Sequence, residues 1–174
     1  YSPLTGFMCR RDYECVIEGM RLQNGSIWAL PVILDISKKE ADGLTVGKNV
    51  ALCYDNKIIA GMFLLEKYMY NKDKDAFEVF KTRDEEHPGV FQWMLKENVL
   101  LGGNIILLNW PSYPKGIKLV NWTPTELKKE FLDRGWKHII GYQTRNAIHR
   151  GHEYIQKCTL EICDGLLIHP VVGE

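Results

Sequence analysis

Between Gly141 and His152 the chain reads Gly-Tyr-Gln-Thr-Arg-Asn-Ala-Ile-His-Arg-Gly-His. Most of its polar residues are hydrogen-bond donors or cations. Arg145 carries a planar guanidinium fork suited to an oxyanion. Gln143 and Asn146 offer amide donors. His149 and His152, three residues apart, project from one side of a helix's first turn. Gly151 between them lets a ligand or a neighbouring strand approach. No Ser or Cys stands beside a His with an orienting carboxylate, so an activated nucleophile is not indicated. Donors and cations without a nucleophile suit substrates that are already ionised and need positioning and charge stabilisation. Phosphoryl or nucleotidyl transfer meets that description.

Each residue alone has a plainer reading. Two His residues at i and i+3 are commonly solvated, and as a metal pair they lack a third ligand nearby in sequence. A lone Arg145 would be a surface ion-pair partner of small energetic weight. A lone Asn146 would be a cap. Their joint placement at one strand-to-helix junction favours a ligand site. The carboxyl ends of parallel strands are where open α/β sheets bind ligands. The first helical N–H groups there lack partners and the helix dipole adds positive potential.

The elements that must position this set follow a strand–helix–strand pattern. Thr123-Pro124-Thr125-Glu126 opens a helix, with Thr at the cap, Pro in the first turn and Glu three beyond the cap. Leu127, Phe131 and Leu132 supply its apolar face and Gly135 ends it. A buried strand is expected over Lys137–Tyr142, then the polar loop Gln143–Asn146. A helix from about His149 to Cys163 follows, burying Ile155, Cys158, Leu160 and Ile162. The second strand is Gly165–Val172. Two parallel strands cannot bury both faces of a sheet, so this part is expected to be marginal unless something else covers it.

Upstream of a change in character near Pro111–Lys118, short apolar runs alternate with turn signals. Asp12 is expected to cap a helix through Tyr13, Val16, Ile17 and Met20. Asn24-Gly25 marks a turn before a strand-like run, Ile27–Ile36. Pro31 restricts that run to an edge or bulge. Ser37 and Glu40 have capping-box spacing. Asn49–Tyr54 and Lys57–Tyr68 flank Asp55-Asn56 as a hairpin. Lys72–Asp75 reads as a charged loop. His87-Pro88 opens a short helix with Phe91, Met94 and Leu95 on one side. Asp84 and His87 read as a helix cap and a structural His. Asn98–Trp110 reads as a bent strand or strand pair, with Gly102-Gly103 at the bend. The pattern predicts a small barrel-like β domain. The tryptophans Trp28, Trp93, Trp110, Trp122 and Trp136 read as core or domain-contact residues.

Composition excludes some functions. The 174 residues carry 22 Lys+Arg and 22 Asp+Glu, a formal net charge of zero, which argues against a general nucleic-acid or membrane-surface binder. No segment is apolar and long enough to span a bilayer, and no signal pattern opens the chain. The five cysteines form no C-x-x-C pair, so neither a disulfide framework nor a zinc cluster is indicated. Buried thiols in a reducing compartment, the cytoplasm, are expected.

Gln143-Thr144-Arg145-Asn146 followed by His149-Arg150-Gly151-His152 resembles the ATP sulfurylase signature Q-T-R-N-P-x-H-R-x-H. The H-x-G-H part is common to many nucleotidyltransferases; the longer string is specific. The resemblance covers nearly the whole chain. Ser2–Met8 looks like the family's opening segment, and Asp84–Val90 like its D-x-x-H-P-G-V. Leu101-Gly102-Gly103 looks like its L-G-G, and Asp164–Glu174 like its D-G-L-x-x-H-P-x-V-G strand. It implies a PUA-like β-barrel domain over residues 1–116, α+β in class. The start of a Rossmann-like α/β nucleotidyltransferase domain would follow over 117–174. It further implies that sulfate attacks the α-phosphorus of ATP, giving adenosine 5′-phosphosulfate and pyrophosphate, with Mg2+ accompanying ATP and no protein-bound metal. By matching position, Gln143 and Arg145 would hold sulfate. Thr144 and Asn146 would join the nucleotide-phosphate pocket, to which Gln143 and Arg145 also belong. His149 and His152 would steady phosphate charge in the transition state. A homo-oligomer is implied, without nucleic-acid or membrane partners.

Two departures stand out. Ala147 occupies the position of the family's Pro, which loosens the helix start without removing a ligand group. The chain also ends before the family's Lys-containing loop and Gly-Arg-Asp segment, so an inactive fragment of an active parent is expected. Two other readings compete. One is a different H-x-G-H nucleotidyltransferase, such as a cofactor adenylyltransferase, which the long Q-T-R-N string disfavours. The other is a non-catalytic module binding RNA through its PUA-like half, which the zero net charge disfavours.

Overall fold

A computed structural model describes residues 3–109 and 122–171. The chain divides into two compact units, Ser2–Lys115 and Gly116–Glu174. The expected boundary at 116/117, the change of character at Pro111–Lys118, Trp110 and the strand end at Val172 lie outside the described residues.

In the first unit, β1 (Gly6–Phe7) leads into α1 (Arg10–Gly19), then β2 (Asp35–Ile36) and α2 (Lys38–Gly43). The hairpin of β3 (Asn49–Tyr54) and β4 (Lys57–Met69) follows, then α3 (Lys72–Phe80), α4 (Pro88–Met94) and β5 (Val99–Leu107). The strands form one antiparallel sheet in the order β1-β5-β4-β3, with β2 also on β5. Among the described residues no ladder closes this sheet into a ring. Asp55 and Asn56 both take positive φ, 50° and 56°. Those values fit the tight hairpin turn their residue types favour. Met62, Leu64 and Leu101 form one core; Met8, Tyr13, Val16, Tyr68, Trp93 and Leu100 belong to another. The buried Asp75 carboxylate accepts the Tyr13 hydroxyl at 2.6 Å, tying α3 to α1.

Several local expectations are corrected. Cys9, not Asp12, occupies the N-cap of α1, and Met20 is its left-handed C-cap. The Asp12 carboxylate instead accepts the Gln23 N–H. Of the run Ile27–Ile36 only Asp35–Ile36 pairs in the sheet, apart from a single bridge from Ile27 to Arg21; Pro31 has no N–H for a ladder. Lys72–Asp75 is helix, because the Asn71 side chain caps Lys74 N–H and starts α3. His87 is itself the cap of α4, its Nδ1 accepting from Gly89 and Val90, while Asp84 accepts from Glu86 in the preceding turn. That helix buries Val90 and Trp93, leaving Phe91 and Leu95 exposed. β5 runs unbroken through Gly102-Gly103; the irregularity lies opposite, between Leu64 and Glu66 of β4. The Ser37–Glu40 capping box forms as expected.

The second unit contains α5 (Pro124–Asp133), β6 (Ile139–Thr144), α6 (Arg150–Leu160) and β7 (Gly165–Pro170). Thr123 and Glu126 cap each other's backbone N–H groups at the start of α5. Its end is a Schellman turn. Gly135 takes φ +70°, Gly135 N–H bonds Leu132 O, and Trp136 N–H bonds Phe131 O. The hydrophobic contact that accompanies such turns is present, with Phe131 and Trp136 stacked at 6.1 Å. Trp136 then lies against Gly165 at the start of β7, where an added Cβ would meet the indole at 2.1 Å.

β6 and β7 pair in parallel, Ile139 with Gly165 through Thr144 with Pro170. The junction behind the first strand is fixed by Asp164, whose carboxylate accepts the Lys137 and His138 N–H groups, each at 2.8 Å. β6 ends two residues later than its apolar run suggests. Gln143 and Thr144 therefore belong to the strand, and the loop is shorter. The apolar face expected on α6 is largely uncovered: Ile155, Cys158, Leu160 and Ile162 are exposed, Ile162 at 79%, and Gln156 is its buried residue. Leu132 of α5 is likewise 77% exposed. Among the described residues two strands supply too little sheet surface to cover both helices.

Candidate active site

The segment Gln143–His152 runs off the end of β6, through a short loop, into the N-terminus of α6. Thr144 points inward and is 9% exposed. Its Oγ1 accepts the Asn146 N–H at 3.0 Å and donates to Asn146 O at 3.2 Å. The Thr144 hydroxyl is thus committed to shaping the loop. Thr144 O also accepts the Val171 N–H at 2.8 Å, which prolongs the pairing past β7.

The helix start is built from the two imidazoles. His149 is the N-cap in extended backbone, and its Nδ1 accepts the Gly151 N–H at 3.1 Å. His152 Nδ1 accepts the His149 N–H at 3.4 Å in return. This is a capping box made with two histidines in place of the usual hydroxyl and carboxylate. With each Nδ1 accepting, each ring carries its proton on Nε2. The rings lie 4.0 Å apart, and the Tyr142 ring meets His152 edge-on at 6.1 Å. Two Nε2–H donors are thereby set side by side at a helix N-terminus.

The Gln143 and Arg145 side chains are exposed, with no hydrogen bond, ion pair or ring contact to another described residue. Asn146 is exposed beside them. All six residues singled out in the sequence therefore sit on one strand-end, loop and helix-start segment. Five present polar groups outward, and Thr144 holds the loop. Among the described residues no three His, Cys, Asp or Glu side chains group as ligands for a metal ion. No helix among them is long and apolar enough to cross a membrane. The register adds one neighbour to which the sequence reading assigned no role: Gln143 pairs with His169 of β7.

Residues 1–110 match the model of the PUA-like domain, and residues 118–174 match that of ATP-sulfurylase. The chain belongs to the PUA-like family, with an ATP-sulfurylase segment following it. The whole outward-facing set lies inside that second segment. A sulfate adenylyltransferase of Symbiobacterium thermophilum is 46% identical over 174 residues, covering 99% of this chain and 44% of its own. One from Synechococcus is 45% identical, with 99% and 44% covered. One from Halothermothrix orenii is 42% identical over 176 residues, with 100% and 46% covered. The chain thus spans less than half the length of these curated relatives. Among solved structures, a hexameric APS kinase from Thiobacillus denitrificans superposes with a TM-score of 0.70 at 28% identity, over 100% of this chain and 30% of that one. The architecture is a PUA-like domain followed by the start of an ATP-sulfurylase domain, with mixed sheets and helices.

Proposed function

We propose that this chain is part of a sulfate adenylyltransferase and supplies its sulfate- and phosphate-handling strand end. The observation that carries the reading is Gln143 and Arg145, whose side chains have no partner among the described residues, on the same strand-end-to-helix segment as the Nε2–H donors of His149 and His152, inside the ATP-sulfurylase match. In the reaction a sulfate oxygen attacks the α-phosphorus of ATP. The new S–O–P linkage gives adenosine 5′-phosphosulfate, and the bond to the β-phosphate oxygen breaks to release pyrophosphate. Sulfate is fully ionised at neutral pH, so no base has to take a proton from it. The obstacle is bringing two polyanions together, which oriented donors and a local cation address.

In this reading residues 1–116 form the PUA-like domain and residues 117–174 begin a Rossmann-like nucleotide-binding domain. Gln143 and Arg145 hold sulfate. Asn146 and the His149–His152 pair meet the phosphates, where charge grows on the departing pyrophosphate. Thr144 acts through the loop it ties. Mg2+ arrives with ATP and neutralises part of its charge. The complete protein is a homo-oligomer, which the hexameric structural relative supports.

The test is sulfate-dependent ATP–pyrophosphate exchange by the complete protein that carries this chain. Arg145→Lys keeps the charge but removes the two parallel donors. It should lose most exchange at limiting sulfate while folding normally. Exchange near wild type would remove Arg145 from the sulfate site, and absence of sulfate-dependent exchange in the wild-type protein would overturn the assignment.

A further inference from the structure

We propose that His169 is a sulfate-positioning residue, a second donor standing beside Gln143. The inference rests on the sulfate adenylyltransferase reading. Its basis is the register of the parallel pair, in which Gln143 lies next to His169. Neighbours in register share a face, and successive residues along a strand alternate faces. Gln143 and His169 therefore project together from one face of the strand ends, separated by about one strand spacing, roughly 4.8 Å. Tyr142 points to the other face, and it is Tyr142 that the His152 ring meets edge-on. The imidazoles of α6 thus reach the strand ends from one side, and Gln143 with His169 from the opposite side.

That division separates two oxyanion positions. His149 and His152 define one; Gln143 and His169 define the other. The His169 side chain is exposed and has no hydrogen bond, ion pair or ring contact to another described residue. A tetrahedral oxyanion seated between Gln143 and His169 accepts an amide N–H from one and an imidazole N–H from the other. Because Gln143 belongs to the sulfate side, His169 binds the attacking anion and not the nucleotide. The sequence hid this role because Gly165–Val172 reads as an apolar strand, and its one imidazole gains meaning only from the neighbouring strand.

The experiment is steady-state kinetics of the complete protein with His169→Ala and His169→Gln, alongside thermal unfolding to confirm folding. Loss of one hydrogen bond to a charged group should raise KM for sulfate about tenfold in His169→Ala. KM for ATP should stay within about twofold. His169→Gln restores an N–H donor and should recover part of the sulfate affinity. Equal changes in both KM values, a change in ATP alone, or a Gln variant no better than Ala would overturn the proposal. A second arm titrates inorganic sulfate into the complete protein and follows the His169 ring signals by NMR. If the wild-type protein lacks sulfate-dependent exchange, the parent reading fails. The ring signals then decide by themselves: movement with sulfate supports an oxyanion position at His169, and no movement overturns it.

Discussion

Replacing His149 should separate its two duties. The Gly151 N–H to His149 Nδ1 bond of 3.1 Å caps α6, and the His149 N–H to His152 bond of 3.4 Å is the longer half of the box. In His149→Ala the first bond is lost and the second donor remains. Loss of an N-cap side chain costs roughly 1 kcal/mol, a factor of about 5 in the opening equilibrium of that turn. Amide exchange at Gly151, His152 and Glu153 should therefore quicken about fivefold. In His149→Ser the hydroxyl can cap the same turn, so exchange should stay within about twofold of wild type. Activity should divide differently. On the proposed reading, both variants of the complete protein lack the Nε2–H donor that meets late-growing phosphate charge, so both should lose kcat more than they raise KM for ATP. The reasoning is refuted if Gly151 exchanges at the wild-type rate in His149→Ala. It is equally refuted if His149→Ser keeps full kcat.

Two further outcomes are expected. In Gly165→Ala the new methyl would lie 2.1 Å from the Trp136 indole, which is held by the Schellman turn and by Phe131; overpacking of this kind costs roughly 1–3 kcal/mol. Amides of β6 and β7 should exchange at least about fivefold faster, and wild-type rates would show that the ring moves aside freely. The N–H groups of His138 and Lys137 hold the Asp164 carboxyl below its ordinary value of 3.8. A carboxyl depressed in the folded state stabilises above its unfolded value and loses that contribution as pH falls through the folded one. The Lys137 and His138 amide signals should therefore shift below about pH 4, and Asp164→Asn should abolish that titration; a flat profile in the wild type would refute it.

Local signals carried far in this chain. The Thr123–Glu126 box, the Gly135 stop and the Asp55-Asn56 hairpin follow from residue types within a few positions, and each forms. The strand-end, loop and helix-start placement of the candidate segment was legible for the same reason, being contiguous. Other features depended on partners distant in sequence. The run Ile27–Ile36 has strand-like residues, yet pairing is decided by β5, which is in register only with its last two and takes one further bond, Leu101 N–H to Leu34 O. Lys72–Asp75 looked like a loop because its charges outweigh an apolar stripe that begins later, and the Asn71 cap decides the matter. The apolar residues of α6 promised a buried face, and nothing in their spacing specifies what covers them. His169 is the extreme case, because its relation to Gln143 exists only across the ladder.

The bonds that orient the two imidazoles and the loop ahead of them all begin and end between Thr144 and His152. Nothing remote has to move for the rings to take their places. A cluster that carries its own fasteners is portable: the nine residues could be set on another parallel strand and helix and bring their geometry with them. It is also local, since each of the four hydrogen bonds joins residues no more than three positions apart. Diversity can therefore accumulate around such a segment while its donors keep their spacing.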